Sequence, residues 1–202
     1  MRPVSKFVAG HVALDFCNTA GEHLAANFDE MLLDWETFLR WCVQAGILAE
    51  TALESLAQRP FPIEPVIQLR ERIYRVGLAL SRREGVPADD LAAIAGSARG
   101  FLPAVYPGAG GLHWQPETEH GSEQLRALLA WEALSLFCSP RAARIGVCEG
   151  GACGWLFLDE SRGKRRRWCD MKDCGSRAKA RSFYQRHKDG NPSEQPPPRR
   201  DD

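Results

Sequence analysis

The stretch from Cys148 to Cys174, CEGGACGWLFLDESRGKRRRWCDMKDC, organises the rest of the chain. It contains two cysteine pairs with the same C-x4-C spacing, separated by fifteen residues that change from apolar to cationic. Two short-range pairs of this kind can supply the four thiolates of a tetrahedral zinc site. We therefore predict one structural zinc ion, bound by Cys148, Cys153, Cys169 and Cys174.

The pattern favours a structural metal over other roles for these thiols. Four thiolates fill the coordination sphere of zinc and leave no open position for a catalytic water. Gly150 and Gly151, inside the first pair, allow the sharp backbone path of a metal-binding knuckle. We expect Trp155, Phe157 and Trp168 to form a small apolar cluster beside the metal. The alternatives are a redox disulfide pair, an iron–sulfur cluster and buried free thiols.

The other three cysteines, Cys17, Cys42 and Cys138, stand alone in apolar sequence and are predicted to be buried small hydrophobes. No apolar run approaches the roughly 20 residues that cross a bilayer, and the N-terminus lacks the apolar centre of a signal peptide. We therefore expect a cytoplasmic protein with no membrane association. In that reducing compartment, paired cysteines are more often metal ligands than disulfides.

The charge is unevenly distributed, although the formal net charge is zero. Residues 1–143 hold 12 Lys/Arg and 17 Asp/Glu, a net charge of −5. Residues 144–188 hold 12 and 5, a net charge of +7, and residues 189–202 have a net charge of −2. A basic module on an acidic body is typical of nucleic-acid-binding proteins. The alternative is a charged face that is only solvated.

Eight cations in and after the cysteine stretch are predicted to contact nucleic acid. Lysines and arginines that neutralise phosphates release counterions, so such binding weakens with salt. Phe183, with Tyr184 beside it, is expected to dock on the zinc module. The eight predicted contacts are Arg162, Lys164, Arg165, Arg166, Arg167, Arg177, Lys179 and Arg181.

Apolar residues at helical spacing predict a mainly α-helical chain. The longest helix is predicted over residues 64–83, with Arg70 among the arginines on its solvent side. A helix after Pro87 is expected to point Leu91 inward. The segment FVAGHVALDFCNTAGE predicts a short strand or extended entry, and residues 101–115 predict a β-hairpin around PGAGG. Further helices are predicted after Asp34, over 51–58, over 122–137 and over 176–188, with a strand over 144–147.

The predicted fold class is mainly α with small β elements. A helical N-terminal domain with a β-hairpin is followed by a small zinc-ribbon-like module and a C-terminal helix. The predicted boundaries are 1–140 for the helical domain and 141–188 for the zinc module with its basic helix. Residues 189–202 contain four prolines and no large apolar residue, which predicts a disordered tail.

Many spaced positions of the cysteine stretch agree with one known signature. They are Cys148, Cys153, Phe157, Asp159, Ser161, Arg167-Trp168-Cys169-Asp170-Met171, Cys174-Gly175-Ser176-Arg177 and Lys179. Through these residues the stretch resembles the CGNR zinc fingers of bacterial proteins. Ser176 stands where that family has asparagine; a capping role would survive this change, whereas a base contact by the amide would not.

The N-terminal region resembles the ABATE domain, which usually accompanies this finger, through Leu14-Asp15-Phe16-Cys17-Asn18-Thr19. Together the two resemblances span nearly the whole chain and imply a transcription regulator whose N-terminal domain senses stress or a ligand. In physical terms, Asp15, Asn18 and Thr19 either hydrogen-bond a turn or line a ligand pocket. The turn is favoured, and the pocket stays open as the alternative.

We predict a DNA-binding transcription regulator with a structural zinc finger that uses four cysteine ligands. The alternative is a zinc-stabilised module that binds RNA or an acidic protein. An enzyme is not predicted, because the sequence lacks a nucleophile–base arrangement, an open-site metal motif and a nucleotide-binding loop. A small-molecule effector and a homodimer are further expectations, since a palindromic DNA site would require a dimer.

Overall fold

The computed structural model describes residues 3–26, 29–100, 103–108 and 111–188. Within these residues the strands form three two-stranded antiparallel sheets, β1 with β2, β3 with β4 and β5 with β6. A 3-10 helix at Pro140–Arg144 precedes β5, and a π-helical turn at Met171–Gly175 leads into α7. The helices are α1 (Val12–Cys17), α2 (Trp35–Gln44), α3 (Glu50–Ala57), α4 (Glu64–Arg82), α5 (Ala88–Ala98), α6 (Gly121–Phe137) and α7 (Ser176–Lys188). The strands are β1 (Ala20–Gly21), β2 (Asp29–Glu30), β3 (Ala104–Gly108), β4 (Gly111–Gln115), β5 (Ile145–Val147) and β6 (Leu156–Leu158).

Helix α4 lies at the centre of the core. It packs against α1, α5 and α6 and against strands β5 and β6. Its buried side chains include Val66, Leu69, Ile73 and Val76, which recur at the spacing of one helical face. The helix ends where Arg83 adopts a left-handed conformation, with φ of 57°. The predicted long helix is therefore confirmed.

The predicted fold class is also confirmed. Strands β3 and β4 form the expected hairpin, and α2 and α5 begin directly after Asp34 and Pro87, as predicted. Helices α3, α6 and α7 lie within one residue of their predicted bounds. The cysteine cluster follows the helical region and precedes a C-terminal helix. Among the described helices, none is long and apolar enough to cross a membrane.

The N-terminal segment differs from the prediction, because residues Val12–Cys17 form helix α1 rather than a strand. The Nδ1 atom of His11 accepts a hydrogen bond of 3.3 Å from the amide of Ala13 and caps this helix. Helix α1 packs against both α4 and α6, and five of its six residues are buried. Burial on all sides removes the polar stripe by which a helix is recognised in sequence.

Arg70 is buried, so its predicted solvent-facing position is wrong. Its guanidinium donates two hydrogen bonds of 2.6 Å to the carboxylate of Glu30 and pairs with Glu71. It also donates to the hydroxyl of Thr19. A buried charge is tolerated when it is paired and hydrogen-bonded. The distant Glu30 and the adjacent Glu71 together compensate the charge of Arg70 in the core.

Two further predictions about single residues are wrong. Cys138 is exposed because it follows the last turn of α6, and Leu91 is 38% exposed at the start of α5. Cys17 and Cys42 are buried, as predicted. The predicted tail at 189–202 lies outside the described residues, and the domain boundary at residue 140 stays a prediction.

Strands β5 and β6 join the helical core to the cysteine cluster. Leu156 and Leu158 on β6 pack in the helical core, whereas Phe157 between them packs among the cysteines. Successive side chains of a strand point to opposite faces, so one three-residue strand contributes to both cores. The register pairs Ile145 with Leu158 and Val147 with Leu156.

Candidate metal centre and basic surface

The four predicted ligands come together in one buried cluster. Their sulfur atoms all lie within 4.8 Å of one another. Two of the distances, Cys153 Sγ to Cys169 Sγ and Cys169 Sγ to Cys174 Sγ, are 3.7 Å. A tetrahedral zinc ion with bonds of about 2.3 Å to sulfur requires sulfur atoms about 3.8 Å apart. The cluster therefore has the dimensions of a zinc-binding cage.

The electrostatics of the cluster also favour a bound cation. Hydrogen bonds from the thiols of Cys153 and Cys169 hold the pKa of the Cys148 thiol far below its usual range. The same interactions raise the pKa values of Cys153 and Cys169, because their protons are shared with the Cys148 thiolate. Cys148, Cys153 and Cys169 can become thiolates together only when a cation compensates their charge. Zinc supplies that compensation.

Gly150 allows the two cysteine pairs to approach each other. A Cβ atom added at this position would lie 2.7 Å from Cys174 Sγ and 3.1 Å from Cys148 Sγ. A side chain there would displace the ligands, so the knuckle requires glycine. The amide of Cys148 donates a 2.8 Å hydrogen bond to the carbonyl of Trp155 and closes the knuckle.

The predicted aromatic cluster is confirmed. Trp155 and Phe157 are buried together with the four cysteines, and Trp168 is partly buried against them. Val8 and Met31, from the N-terminal region, pack against the same cluster. The metal centre is thus enclosed by both parts of the chain.

Hydrogen bonds attach the metal-binding loop to the helical region. The amide of Asn18 is fully buried; its Nδ2 donates to the carbonyl of Leu156 and its Oδ1 accepts from the amide of Leu156, both at 2.9 Å. The hydroxyl of Tyr74 donates to the carbonyl of Gly154. Three further bonds run from Trp155 Nε1 to the carbonyl of Ala20, from the amide of His23 to the carbonyl of Cys153, and from the amide of Leu24 to the carbonyl of Ala152.

Comparison with known families divides the chain into the helical region and the cysteine-containing region. The ABATE model, described as a "putative stress-induced transcription regulator", matches residues 10–140, well over half of the sequence. The chain belongs to the ABATE family. The CGNR zinc-finger model matches residues 144–187, so the order expected from the resemblance is confirmed. The finger and its four clustered cysteines fit one structural zinc ion. A comparison with curated proteins found no match.

The three residues proposed for a ligand pocket in the ABATE domain make hydrogen bonds within the protein. Asp15 Oδ1 accepts from the amides of Val8 and Ala9, both at 2.9 Å, and burial raises its pKa to about 6. The side chain of Asn18 hydrogen-bonds the backbone of Leu156 in β6, and the hydroxyl of Thr19 donates to the carbonyl of Phe16 in α1. These contacts favour the structural alternative, and the ligand pocket stays a prediction.

The cationic loop of the CGNR finger has a defined shape. The Asp159 carboxylate accepts hydrogen bonds from the amide and hydroxyl of Ser161 and from the amide of Arg166. Lys164 adopts a positive φ of 48° at the tip. The Asp-x-Ser pattern is typical of a turn in which a carboxylate binds the following amides. The aspartate and serine matched to the CGNR signature therefore shape the loop.

Arg166 differs from its neighbours because its guanidinium is bound inside the protein. It donates hydrogen bonds to four backbone carbonyls and stacks on the ring of Phe157, with a centroid distance of 4.4 Å. One of these carbonyls belongs to Val8 in the N-terminal segment. The others are those of Leu158, Trp168 and Cys169. These contacts favour a structural role for Arg166, and its predicted contact with nucleic acid stays a prediction.

The remaining cations of the loop point outward. Arg162, Lys164 and Arg165 are exposed. Arg167 is exposed as well, but it pairs with Glu149 and lies over the ring of Trp168. A groove of about 660 Å³ runs beside the loop. Its lining includes Arg165, Arg167, Trp168, Met171 and Lys172.

Helix α7 extends from the finger with most of its basic side chains exposed. Lys179 and Arg181 are exposed, and Arg177 faces the metal centre, where its Nη2 donates to Cys174 Sγ. Tyr184 is 72% exposed, so its predicted docking on the zinc module is wrong. The ring of Phe183 packs edge-on against Tyr184 and His187 of the same helix. Helix α7 contacts the rest of the described chain mainly through the π-helical turn.

Ser176 does not cap α7 in the expected way. Its backbone is already helical, and its hydroxyl donates to the carbonyl of Met171 in the π-helical turn. The side chain of Asp170 caps this turn by accepting from the amide of Lys172. The turn and α7 therefore form a continuous helical segment.

Two groups that hold the centre in place have no structural role in the sequence-based prediction. The Asp-x-Ser pattern around Asp159 could have been found from its local turn chemistry. Tyr74 and Lys6 carried no local signal, because their partners Gly154 and Asp173 lie 80 and 167 residues away. Such contacts are set by the tertiary fold alone.

Proposed function

We propose that the protein is a DNA-binding transcription regulator, in which the zinc-stabilised finger presents loop 161–167 and α7 to duplex DNA. The observation that carries the proposal is α7 itself. Its thirteen residues contain five lysines and arginines and no acidic residue. An isolated helix of this length is marginal in water, so its attachment to the zinc centre is what would hold it in place.

The dimensions and charge of α7 suit the major groove. A helix with its side chains is about 10–12 Å across, and the major groove of B-DNA is about 12 Å wide. Helix α7 is attached at its N-terminal end, which leaves Lys179, Arg181 and the residues beyond them free to enter the groove. Side chains on this helix would read base edges.

The loop supplies a second, sequence-independent contact. Arg162, Lys164 and Arg165 are exposed beside the groove that Arg167 and Lys172 help to line. The π-helical turn lies between this groove of the protein and α7. One DNA strand could therefore contact both the groove and the helix. Phosphate contacts of this type set register and affinity, whereas base contacts set specificity.

Other features complete the proposal. The ABATE domain would modulate the finger in response to a small-molecule effector, and a homodimer would match a palindromic site. We assign the chain no catalytic activity and place the regulator in the cytoplasm. The family description supports the regulatory role. The effector, the homodimer and the lack of catalytic activity rest on the sequence alone.

Selection from a random pool of duplex DNA, with zinc-loaded protein and with chelator-treated protein, tests the function directly. We expect enrichment only with zinc. Lack of enrichment in both conditions, together with binding to RNA or to an acidic protein, would favour the alternative interaction module.

A triple variant, R162A/K164A/R165A, tests the assigned surface. For each phosphate that is no longer neutralised, the slope of log K against log salt should fall by about 0.9, and binding should weaken for all sequences alike. The matched control is R59A/R82A/R99A, which removes three exposed arginines from the ABATE domain. Equal affinities of the two triple variants would contradict the assignment.

A further inference from the structure

We propose that Arg177 is a positioning residue for the zinc centre, which stabilises the thiolate of Cys174 and slows the loss of zinc. Its role does not depend on DNA binding. The Nη2 atom of Arg177 lies 3.2 Å from Cys174 Sγ, and this hydrogen bond is directed at a metal ligand. The guanidinium of Arg177 therefore contacts the metal centre whether or not nucleic acid is bound.

The charge of the centre explains why a cation belongs at this position. Zinc with four thiolates is doubly negative, and Cys174 is only 1% exposed, so water stabilises that charge poorly. A guanidinium hydrogen-bonded to sulfur offsets part of the negative charge and withdraws electron density from the ligand. A charge-assisted hydrogen bond of this kind is stronger than one from a neutral donor.

A chain of ion pairs fixes the orientation of Arg177. Its Nε lies 3.2 Å from Asp173 Oδ1, and Asp173 Oδ2 lies 3.0 Å from Lys6 Nζ. Lys6 also pairs with Asp170 at 3.5 Å. The carboxylate of Asp173 thus links the N-terminal segment to the guanidinium that contacts Cys174. Groups that hydrogen-bond metal ligands, as Arg177 does, commonly affect metal affinity by about 10–100-fold.

The position of Arg177 also matters for access to the metal. A cavity of about 450 Å³ is lined by Arg177 and Lys6 and by three of the ligand residues, Cys153, Cys169 and Cys174. Cys148 does not contribute to this lining. A chelator that reaches the thiolates through this cavity passes the guanidinium. Removing the side chain should therefore weaken zinc binding and also speed zinc transfer to a chelator.

The test compares zinc-loaded full-length protein with R177A and with R181A. Arg181 lies one turn later on the same helix and is exposed, so it controls for loss of a positive charge from α7. In competition with a chromogenic chelator, we expect R177A to bind zinc about 10–100-fold more weakly. D173N should shift the affinity in the same direction, and R177K should give an intermediate value because it keeps the charge.

Cobalt substitution provides a readout that a purely structural role would not change. Loss of a hydrogen bond to sulfur should move the sulfur-to-cobalt charge-transfer band of R177A to longer wavelength, while the band of R181A stays in place. If R177A does not fold, R177M serves instead, because it keeps most of the side-chain length without an N–H donor or a charge. A zinc affinity of R177A or R177M within twofold of R181A, with an unshifted band, overturns the proposal.

Discussion

Arg165 and Arg166 are adjacent and chemically identical, yet the structure predicts that their substitution has different effects. The guanidinium of Arg165 is exposed beside the groove, whereas that of Arg166 is bound to backbone carbonyls. We expect R166A to destabilise the fold and R165A to leave stability unchanged while weakening DNA binding. The pair therefore separates the structural role of Arg166 from the DNA contact proposed for Arg165.

The expected loss for R166A follows from its contacts. The guanidinium makes hydrogen bonds to four carbonyls, at 2.8 Å to Val8, 3.0 Å to Trp168, 3.2 Å to Leu158 and a further one to Cys169. Each net bond contributes about 1 kcal/mol, since water can replace part of it at this half-buried site. The sum is about 4 kcal/mol, a large fraction of the roughly 5–15 kcal/mol that stabilises a typical domain.

Urea unfolding of zinc-loaded protein, followed by circular dichroism, measures this loss. The unfolding midpoint of R166A should fall while its slope with urea stays constant, and R165A should stay within about 0.5 kcal/mol of the parent. R166K keeps the charge but has a single ammonium group, so it should recover only part of the stability. If R165A and R166A unfold with the same free energy, the structural role of Arg166 is wrong.

Three further predictions concern the metal centre and the buried carboxylate. G150A should weaken zinc binding measured by chelator competition, because its Cβ would lie 2.7 Å from Cys174 Sγ; G96A is the control, since a Cβ there meets nothing within 4 Å. Removing zinc should lower the melting temperature of the whole chain in one transition, because β6 packs in both cores, and ABATE helices that melt unchanged would contradict this. For Asp15, burial raises the pKa from its usual 3.8 to about 6, so folding favours the protonated carboxyl. The contribution of this pKa difference to the free energy of unfolding is fully present below pH 3.8 and is lost as the pH rises through about 6. D15N keeps an acceptor oxygen for the two amides and should therefore gain at most about 3 kcal/mol relative to the parent above pH 6. Parallel pH profiles of unfolding for the parent and D15N would show that another group is responsible.

Local patterns predicted much of the secondary structure. The spacing of Val66, Leu69, Ile73 and Val76 located α4, because one helical face must be apolar to pack. Helix α1 was missed because it is buried almost all round and carries no polar stripe. Arg70 was misplaced for a similar reason, since its acidic partner Glu30 lies forty residues away and local sequence does not reveal the pair.

By itself, the sequence determined the zinc ligands, the fold class and the segment that carries the positive charge. Four cysteines at matched spacings predict a metal site, and a run of cations predicts a positive surface, without any knowledge of the tertiary contacts. Only the tertiary structure decided what each cation does. Arg166 reaches the carbonyl of Val8 across 158 residues, Arg177 reaches a zinc ligand, and Arg165 stays at the surface. The physical reason is that a guanidinium acts through whatever acceptor lies within about 3 Å of it, and long-range packing chooses that acceptor.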